Sequence, residues 1–570
     1  MLKDGPFRQL VRHFFAKFFD NEWAPPGGEV TSTVTHAVAL LAVPGMVLPI
    51  WFITKYTYLW HHPSVQPLRW SWPHKYLFIT LAIGIMGALA VLEWDSLFPD
   101  TRDFHILTPL PLRPAAMFMA QVSALALFLL LFSVAINGVS SFSYPFIAGI
   151  PDVATAGRLR LTLGHLAAVF CASWFSFLTV VAVEGLMLLL LTPRAFRKAS
   201  PYAQFVLLSV VAMLFLLYEE VAPYLPALRP DNLRILRVLP TMWFLGLYEV
   251  IAGNQSPLFA ELARRALLAT ALVTATAMVT YVLAYRRHAR RSLEASPLAE
   301  GESSMLAALA TRCVDRWVLR QPVERAVFHF LVQTLHRSRK HKLFLAIYAG
   351  VGCAVVFESL VAFYSVEGPH GVYRPGPALL SIPLVLSLFL LSGLRLIFTI
   401  PAELGANWVF RIAESTDWRP VFSAIRKAMV LLAILPLFVA LLPFYVMLWG
   451  WTIALMHALF GVTLSVLLME GLLATFRKIP FTCSYLPGKA KVSERWIAYW
   501  IFFAIYTSAM AALEQRLLQR PSAFAVFIGI AATAYIVWRV RQVEWFAREF
   551  RLIYEEEPEP VVRTLDLSRS

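Results

Sequence analysis

Four carboxylates crowd one short stretch, Glu93, Asp95, Asp100 and Asp103 in EWDSLFPDTRDF. Carboxylates this close could serve general acid–base chemistry on a lipid or a lipid-linked sugar. Arg102 stands among them, and the same spacing suits a solvated, capped loop. A second set lies inside apolar runs: Glu184, Glu358 and Glu470. An ionised group at the centre of a bilayer costs about 2.5–3.5 kcal/mol on insertion scales, so these three are candidates for carrying protons or cations. They also have plainer readings. Glu184 and Glu470 each precede an Arg-Lys cluster that can pair with them, as anchors of equivalent helices, and Ser359 adjoins Glu358. His36, His165 and His457 fall in apolar runs, yet none shares an i, i+4 face with a carboxylate, so no metal centre is expected. Cys171, Cys313, Cys353 and Cys483 lack CxxC spacing and imply neither a disulfide framework nor a zinc site.

Several catalytic and nucleotide motifs are missing from the sequence. It contains no GxxxxGK[ST] phosphate loop, no HExxH and no GxSxG. No glycine-rich dinucleotide loop follows a strand, so no cofactor is expected in this chain. Any driven process must then draw on an ion gradient or on another subunit.

The elements that position these residues are membrane helices. Of 570 residues, 59% are apolar and 15% charged. The mean hydropathy is +0.64, and soluble proteins carry about 25% charged residues. The net charge of +15 reads as Lys and Arg gathered in cytoplasmic loops, not as affinity for nucleic acid. A crossing takes about 20 apolar residues. Twelve spans are expected, near 34–58, 75–95, 117–139, 160–192, 205–226, 263–285, 343–366, 377–400, 428–449, 451–472, 497–516 and 522–540. The pairs around Gly450 and Arg520 require tight hairpins. The fold class is therefore an all-α polytopic membrane protein with a 6+6 pseudo-repeat. Clusters at Arg194/Arg197/Lys198, Arg286/Arg287/Arg290/Arg291, Arg337/Arg339/Lys340/Lys342, Arg426/Lys427 and Arg477/Lys478 put both termini in the cytoplasm. The loop 227–265, with Arg229, Arg234, Arg237, Arg264 and Arg265, runs against that bias. Residues 1–20 lack the apolar core of a cleavable signal, and none is expected.

The organisation divides as 1–285, a first six-span half; 286–342, a basic linker with an interface helix; 343–540, a second half; and 541–570, a cytoplasmic tail. Each half opens with an amphipathic segment suited to the membrane interface. The first carries Phe7, Leu10, Val11, Phe14, Phe15 and Phe18, and the second carries Val323, Val327, Phe330, Leu331 and Leu335. Val183-Glu184-Gly185-Leu186, followed by Phe196-Arg197-Lys198, recurs as Met469-Glu470-Gly471-Leu472 and Phe476-Arg477-Lys478. Matched order of this kind points to parallel six-span repeats. In the tail, Val543, Phe546, Phe550 and Ile553 predict another short surface helix. The stretch Pro480–Lys489, PFTCSYLPGK, has no role legible in its sequence beyond that of a proline-bounded inner loop.

The connector after the second span reads Leu107-Thr108-Pro109-Leu110-Pro111-Leu112-Arg113-Pro114 and continues to Met117-Phe118-Met119-Ala120-Gln121. It resembles the connector of bacterial ABC-2-type exporter permeases. There, Leu-Pro-(Leu/Ile)-(Ser/Arg)-(Pro/Arg) precedes an aliphatic stretch and a Lys; here Gln121 stands in place of that Lys. A six-span half opened by an interface helix is also similar to that family. The resemblance implies the permease of an ATP-driven exporter in the bacterial inner membrane. It implies that the connector docks on a separate ATPase subunit at the cytoplasmic face, and that this subunit carries ATP-Mg. The coupling residues would be Asp100, Arg102, Asp103, Pro109, Pro111 and Arg113. The second-half counterpart, Thr399 to Pro420, departs from the motif and would contribute Pro401, Glu403 and Asn407. Proline fixes φ and removes a donor, which suits a stiff lever. The partners expected are the ATPase and membrane lipid. Two alternatives stay open: an ion-coupled secondary transporter with parallel six-helix repeats, and a membrane enzyme acting on a lipid-linked substrate.

Overall fold

The computed structural model describes residues 5–19, 30–61, 71–98, 107, 109, 113–148, 155–227, 237–294, 305–367, 374–402, 419–474, 476, 479–482 and 501–548. Among the described residues there is no strand, and ten helices are long and apolar enough to cross a membrane. The protein is an all-α polytopic membrane protein. It divides into two compact units, Met1–Ala299 and Glu300–Ser570.

Unit one opens with α1 (Pro6–Lys17), which starts at a proline already held at helical φ. Leu10, Phe14 and the following Phe18 are buried, while Arg8 and Arg12 are exposed on the other side. Phe18 packs on Phe128, and Phe19 stacks on Phe132. Both partners belong to the third span. The long helices are α2 (Val30–His61), α3 (Trp72–Leu92), α4 (Pro114–Ala148), α5 (Thr155–Leu190), α6 (Pro193–Leu216) and α8 (Pro257–Glu294). Between α6 and α8 lies α7 (Pro240–Ile251), where the sequence suggested only a loop. Its apolar run TMWFLGLY is too short to cross a hydrocarbon core of about 30 Å. It is apolar enough to be buried, and it packs against α3, α5 and α8. Gly246 makes that packing possible: a Cβ there would lie 2.4 Å from the Leu262 Cβ and 2.9 Å from the Ala263 nitrogen.

Unit two contains α9 (Met305–Trp317), α10 (Pro322–Arg337), α11 (Arg339–Glu367), α12 (Pro377–Ile397), α13 (Arg419–Met429), α14 (Leu435–Leu473), α15 (Met510–Leu518) and α16 (Pro521–Arg548). The α14 helix is broken at Gly450, whose φ of 79° and ψ of 170° no helix accommodates. Gly461 lies against the Phe438 ring, 2.5 Å from where a Cβ would sit. In an unbroken helix these residues would be about 34 Å apart at 1.5 Å per residue. The two legs, 435–449 and 451–473, are therefore antiparallel, as the expected hairpin requires. π-helical turns occur at Val430–Ile434 and Ile505–Ala509.

Two sequence expectations are corrected. The buried face of α10 is formed by Glu324, Phe328 and Leu331, whereas Val323 is 41% exposed. The face rotates because Glu324, polar by sequence, finds buried partners. Residues 541–548 continue α16 as one helix instead of starting a separate surface helix. Leu319, Phe328 and Leu331, in the segment between the two halves, belong to the main core of unit two.

Candidate functional site

The connector after α3 is anchored at both roots to one helix. The turn Trp94–Leu97 buries Trp94 and Leu97 completely. The Tyr281 hydroxyl of α8 donates to the Leu97 carbonyl at 3.2 Å, and its ring lies 4.7 Å from that of Phe98. Where the chain re-enters as α4, Phe118 lies 4.9 Å from the Tyr285 ring and 6.0 Å from Tyr281. Between these roots, Pro109 and Arg113 are exposed. Asp100, Arg102, Asp103 and Pro111 lie outside the described residues, as do Glu403 and Asn407 in the second connector.

The second connector is rooted by a different device. The Phe481 N–H donates to the Phe398 carbonyl at 3.0 Å, and the Ala402 N–H donates to the Phe481 carbonyl at 2.9 Å. His341 Nε2 lies 3.0 Å from the Ile400 carbonyl oxygen, and its ring meets Phe481 edge-on at 4.8 Å. Phe481 is 1% exposed and has φ of 67°, the left-handed region that costs a side-chain residue about 1–2 kcal/mol. Pro401 sits half-buried beside this junction. The opening of the stretch at 480–489 thus has a structural account: Phe481 locks the exit of α12. Cys483 to Lys489 lie outside the described residues.

Glu184 and Glu470 hold the same rank, near the end of the fourth crossing in each unit, and both are buried. Glu184 adjoins Gly185, which packs against Thr280 of α8. Glu470 pairs with Arg426, Oε1 to Nε at 2.9 Å. This partner comes from the helix before it; Arg477 and Lys478, of the cluster after it, lie outside the described residues. Arg426 and Lys427 are correspondingly not a free cytoplasmic cluster. Lys427 Nζ donates to the Val318 carbonyl and lies 2.6 Å from Glu324 Oε1. Ser423 Oγ and the Arg320 N–H also donate to the Glu324 carboxylate. Burial alone would raise the Glu324 pKa, but these hydrogen bonds outweigh it and hold the carboxyl below its ordinary range. Glu358 is half-buried on α11.

The densest polar network was not legible as a site. At the end of unit one where α2 finishes and α3 begins, Lys75 Nζ donates to Glu249 Oε1 at 2.6 Å, with the side chains 1% and 2% exposed. Asn254 Nδ2 donates to the other carboxylate oxygen at 3.0 Å, and the ammonium lies 4.5 Å over the Tyr248 ring. Beside it runs a chain with one consistent direction. Lys55 Nζ meets His74 Nε2 at 3.1 Å, His74 Nδ1 meets the Tyr56 hydroxyl at 2.8 Å, and Tyr56 meets the Tyr144 hydroxyl at 2.8 Å. Tyr144 then donates to the Ser71 carbonyl. With Lys55 as donor, the proton on His74 belongs on Nδ1. His165 is fully buried against Tyr144 and Tyr248. The sequence signal for Glu249 was a lone carboxylate in an apolar run, but its partner is 174 residues away.

In unit two, His457 Nδ1 lies 2.7 Å from Glu514 Oε1, and the side chains are 1% and 0% exposed. Tyr445 meets the His457 ring edge-on at 4.4 Å and gives its hydroxyl to the Leu379 carbonyl. Among the described residues, no three His, Cys, Asp or Glu side chains come together as metal ligands. Comparison with protein-family models, with curated proteins and with solved structures finds no match.

Proposed function

We propose that this chain is the transmembrane permease of an ATP-driven exporter, moved by a separate ATPase subunit that docks on its connectors. The observation that supports this most is the rooting of the first connector. Tyr281 and Tyr285 of α8 hold both its entrance and its exit. A force applied at the exposed Pro109 and Arg113 would reach the third and sixth crossings together. The lock of Phe481 on 398–402 fixes the root of the second connector. The Lys and Arg bias supports a cytoplasmic position for both connectors, in a bacterial inner membrane under this reading.

The test is co-purification of the tagged full chain with candidate ATPase subunits, followed by ATPase measurement in lipid vesicles. The expected result is a stable complex whose ATPase rate rises with the permease and whose assembly is lost in Arg113→Glu. Transport by the chain alone, with no ATPase retained, would overturn the reading. Ion-coupled transport is the second reading, favoured by the buried Lys75–Glu249, Arg426–Glu470 and His457–Glu514 pairs. It requires that collapsing the proton gradient stop transport.

A further inference from the structure

Each unit brings a tyrosine, a histidine and a glutamate together at matching places, but only in unit one does a lysine pair with the glutamate among the described residues. In unit one, Tyr144 of α4 and His165 of α5 lie together, and Glu249 of α7 enters the same cluster beside Tyr248. In unit two, Tyr445 and His457, from the two legs of α14, lie together, and Glu514 of α15 enters beside them. Both tyrosines close the third crossing, both histidines open the fourth, and both glutamates come from the chain that follows the fifth or ends it. Glu249 is neutralised by Lys75. Among the described residues, Glu514 is paired only with the His457 imidazole.

Among the described residues, no other charge acts on the second pair. The two legs of α14 bring Tyr445, whose hydroxyl is committed to Leu379, and the Trp449 ring. From α12 comes Ser387, bonded to Tyr506 of the π turn at 3.1 Å. Arg516 and Arg520 are exposed, and among the described residues no Lys or Arg contacts the pair. His457 Nε2 and Glu514 Oε2 have no hydrogen-bond partner among the described residues. At zero net charge the pair holds one shared proton, whether as imidazolium with carboxylate or as imidazole with carboxylic acid. Removing that proton leaves a buried carboxylate facing a neutral ring. An uncompensated buried charge costs several kcal/mol, and parting the helices so that water enters relieves it.

We propose that His457 and Glu514 form a proton-binding site which holds the 451–473 leg of α14 against α15, and that loss of the shared proton opens this end of unit two. His457 lies about two helical turns, roughly 10 Å, from the Gly450 turn, so the proton has a short way to the bundle's end. With the N-terminus inside, that end faces the outer side, and the site would answer to external pH. Unit one, with Lys75 in place, would stay closed. This inference holds for any transport mechanism and does not rest on an ATPase partner.

The experiment is hydrogen–deuterium exchange of the full chain in lipid nanodiscs, between about pH 5 and about pH 9, corrected for intrinsic exchange. Protection over 451–473 and 505–518 is expected to fall at least about tenfold as pH rises, while 155–177 and 240–251 stay constant. In Glu514→Gln, which keeps a hydrogen-bonding group without a removable charge, protection over 451–473 is expected to stay constant as well. The proposal is overturned if the unmodified chain shows no pH dependence confined to unit two, a result that needs no variant to fold. It is also overturned if Glu514→Gln loses protection with pH as the unmodified chain does.

Discussion

Lys75 and Glu249 are among the most deeply buried charges described, and the carboxylate is fully engaged by Lys75 and Asn254. Removing one member leaves the other charged and unpaired in an apolar cluster. Lys75→Met or Glu249→Gln alone is expected to lower stability by about 3–5 kcal/mol. The double substitution should lose less than the sum of the two, because no orphan charge remains. Denaturant unfolding in mixed micelles across the four-member cycle measures the difference. Glu324 makes a second case, outside the spans. Its carboxyl is held below the ordinary range by Lys427, Ser423 and the Arg320 N–H. A carboxyl with a depressed folded pKa adds stability that is complete above its unfolded value, about 4.3, and is lost as pH falls through the folded value. Glu324→Gln should therefore destabilise unit two near neutral pH. Its unfolding should also depend less on pH in the acid range than that of the unmodified chain. Parallel thermal melts from neutral pH downward check this.

Among the elements, α7 is the one whose presence depends on a close approach. A Cβ at Gly246 would overlap backbone and Cβ atoms of α8, none of which belongs to a flexible chain end. Gly246→Ala should cost about 1–3 kcal/mol through overpacking. Gly84, within α3, has open space around its would-be Cβ, and Gly84→Ala should gain about 0.5–1 kcal/mol. The shift in melting temperature of the two variants should have opposite signs. The long spans were legible because each carries an apolar run matched to bilayer thickness, and the Gly450 hairpin because no single helix of that length fits one. Helix α7 was not, since a 12-residue run fits neither a crossing nor a loop pattern. The face of α10 was misjudged for a related reason. A hydrophobic stripe assigns Glu324 to the surface, while Lys427 and Ser423, from a helix distant in sequence, make it a core residue.

For the molecule as a whole, sequence order revealed the repetition but not the pairs inside it. Glu184 and Glu470 were visible because both precede Gly-Leu, whereas Lys75 with Glu249 and His457 with Glu514 join positions 174 and 57 residues apart. Such pairs are created by packing, and no local pattern encodes them. The hydrophobic cores follow the same division. One core cluster of unit one is drawn from residues between Tyr56 and Ala266, and the main core of unit two from residues between Leu319 and Phe524. Each of these two clusters is made of described residues of its own unit. A unit with its own core can keep its fold when the covalent link is cut, provided that the cut lies between the cores. A protease site inserted at the Ala299/Glu300 boundary should thus yield two membrane-inserted fragments after cleavage. Each should retain a cooperative melt within a few degrees of its transition in the intact chain. Aggregation of either fragment on cutting, read by size-exclusion chromatography, would mean that its core is completed by the other unit. Retention of both melts would fit a chain assembled from two self-sufficient halves. The asymmetry between Lys75–Glu249 and His457–Glu514 would then be a later divergence of equivalent sites.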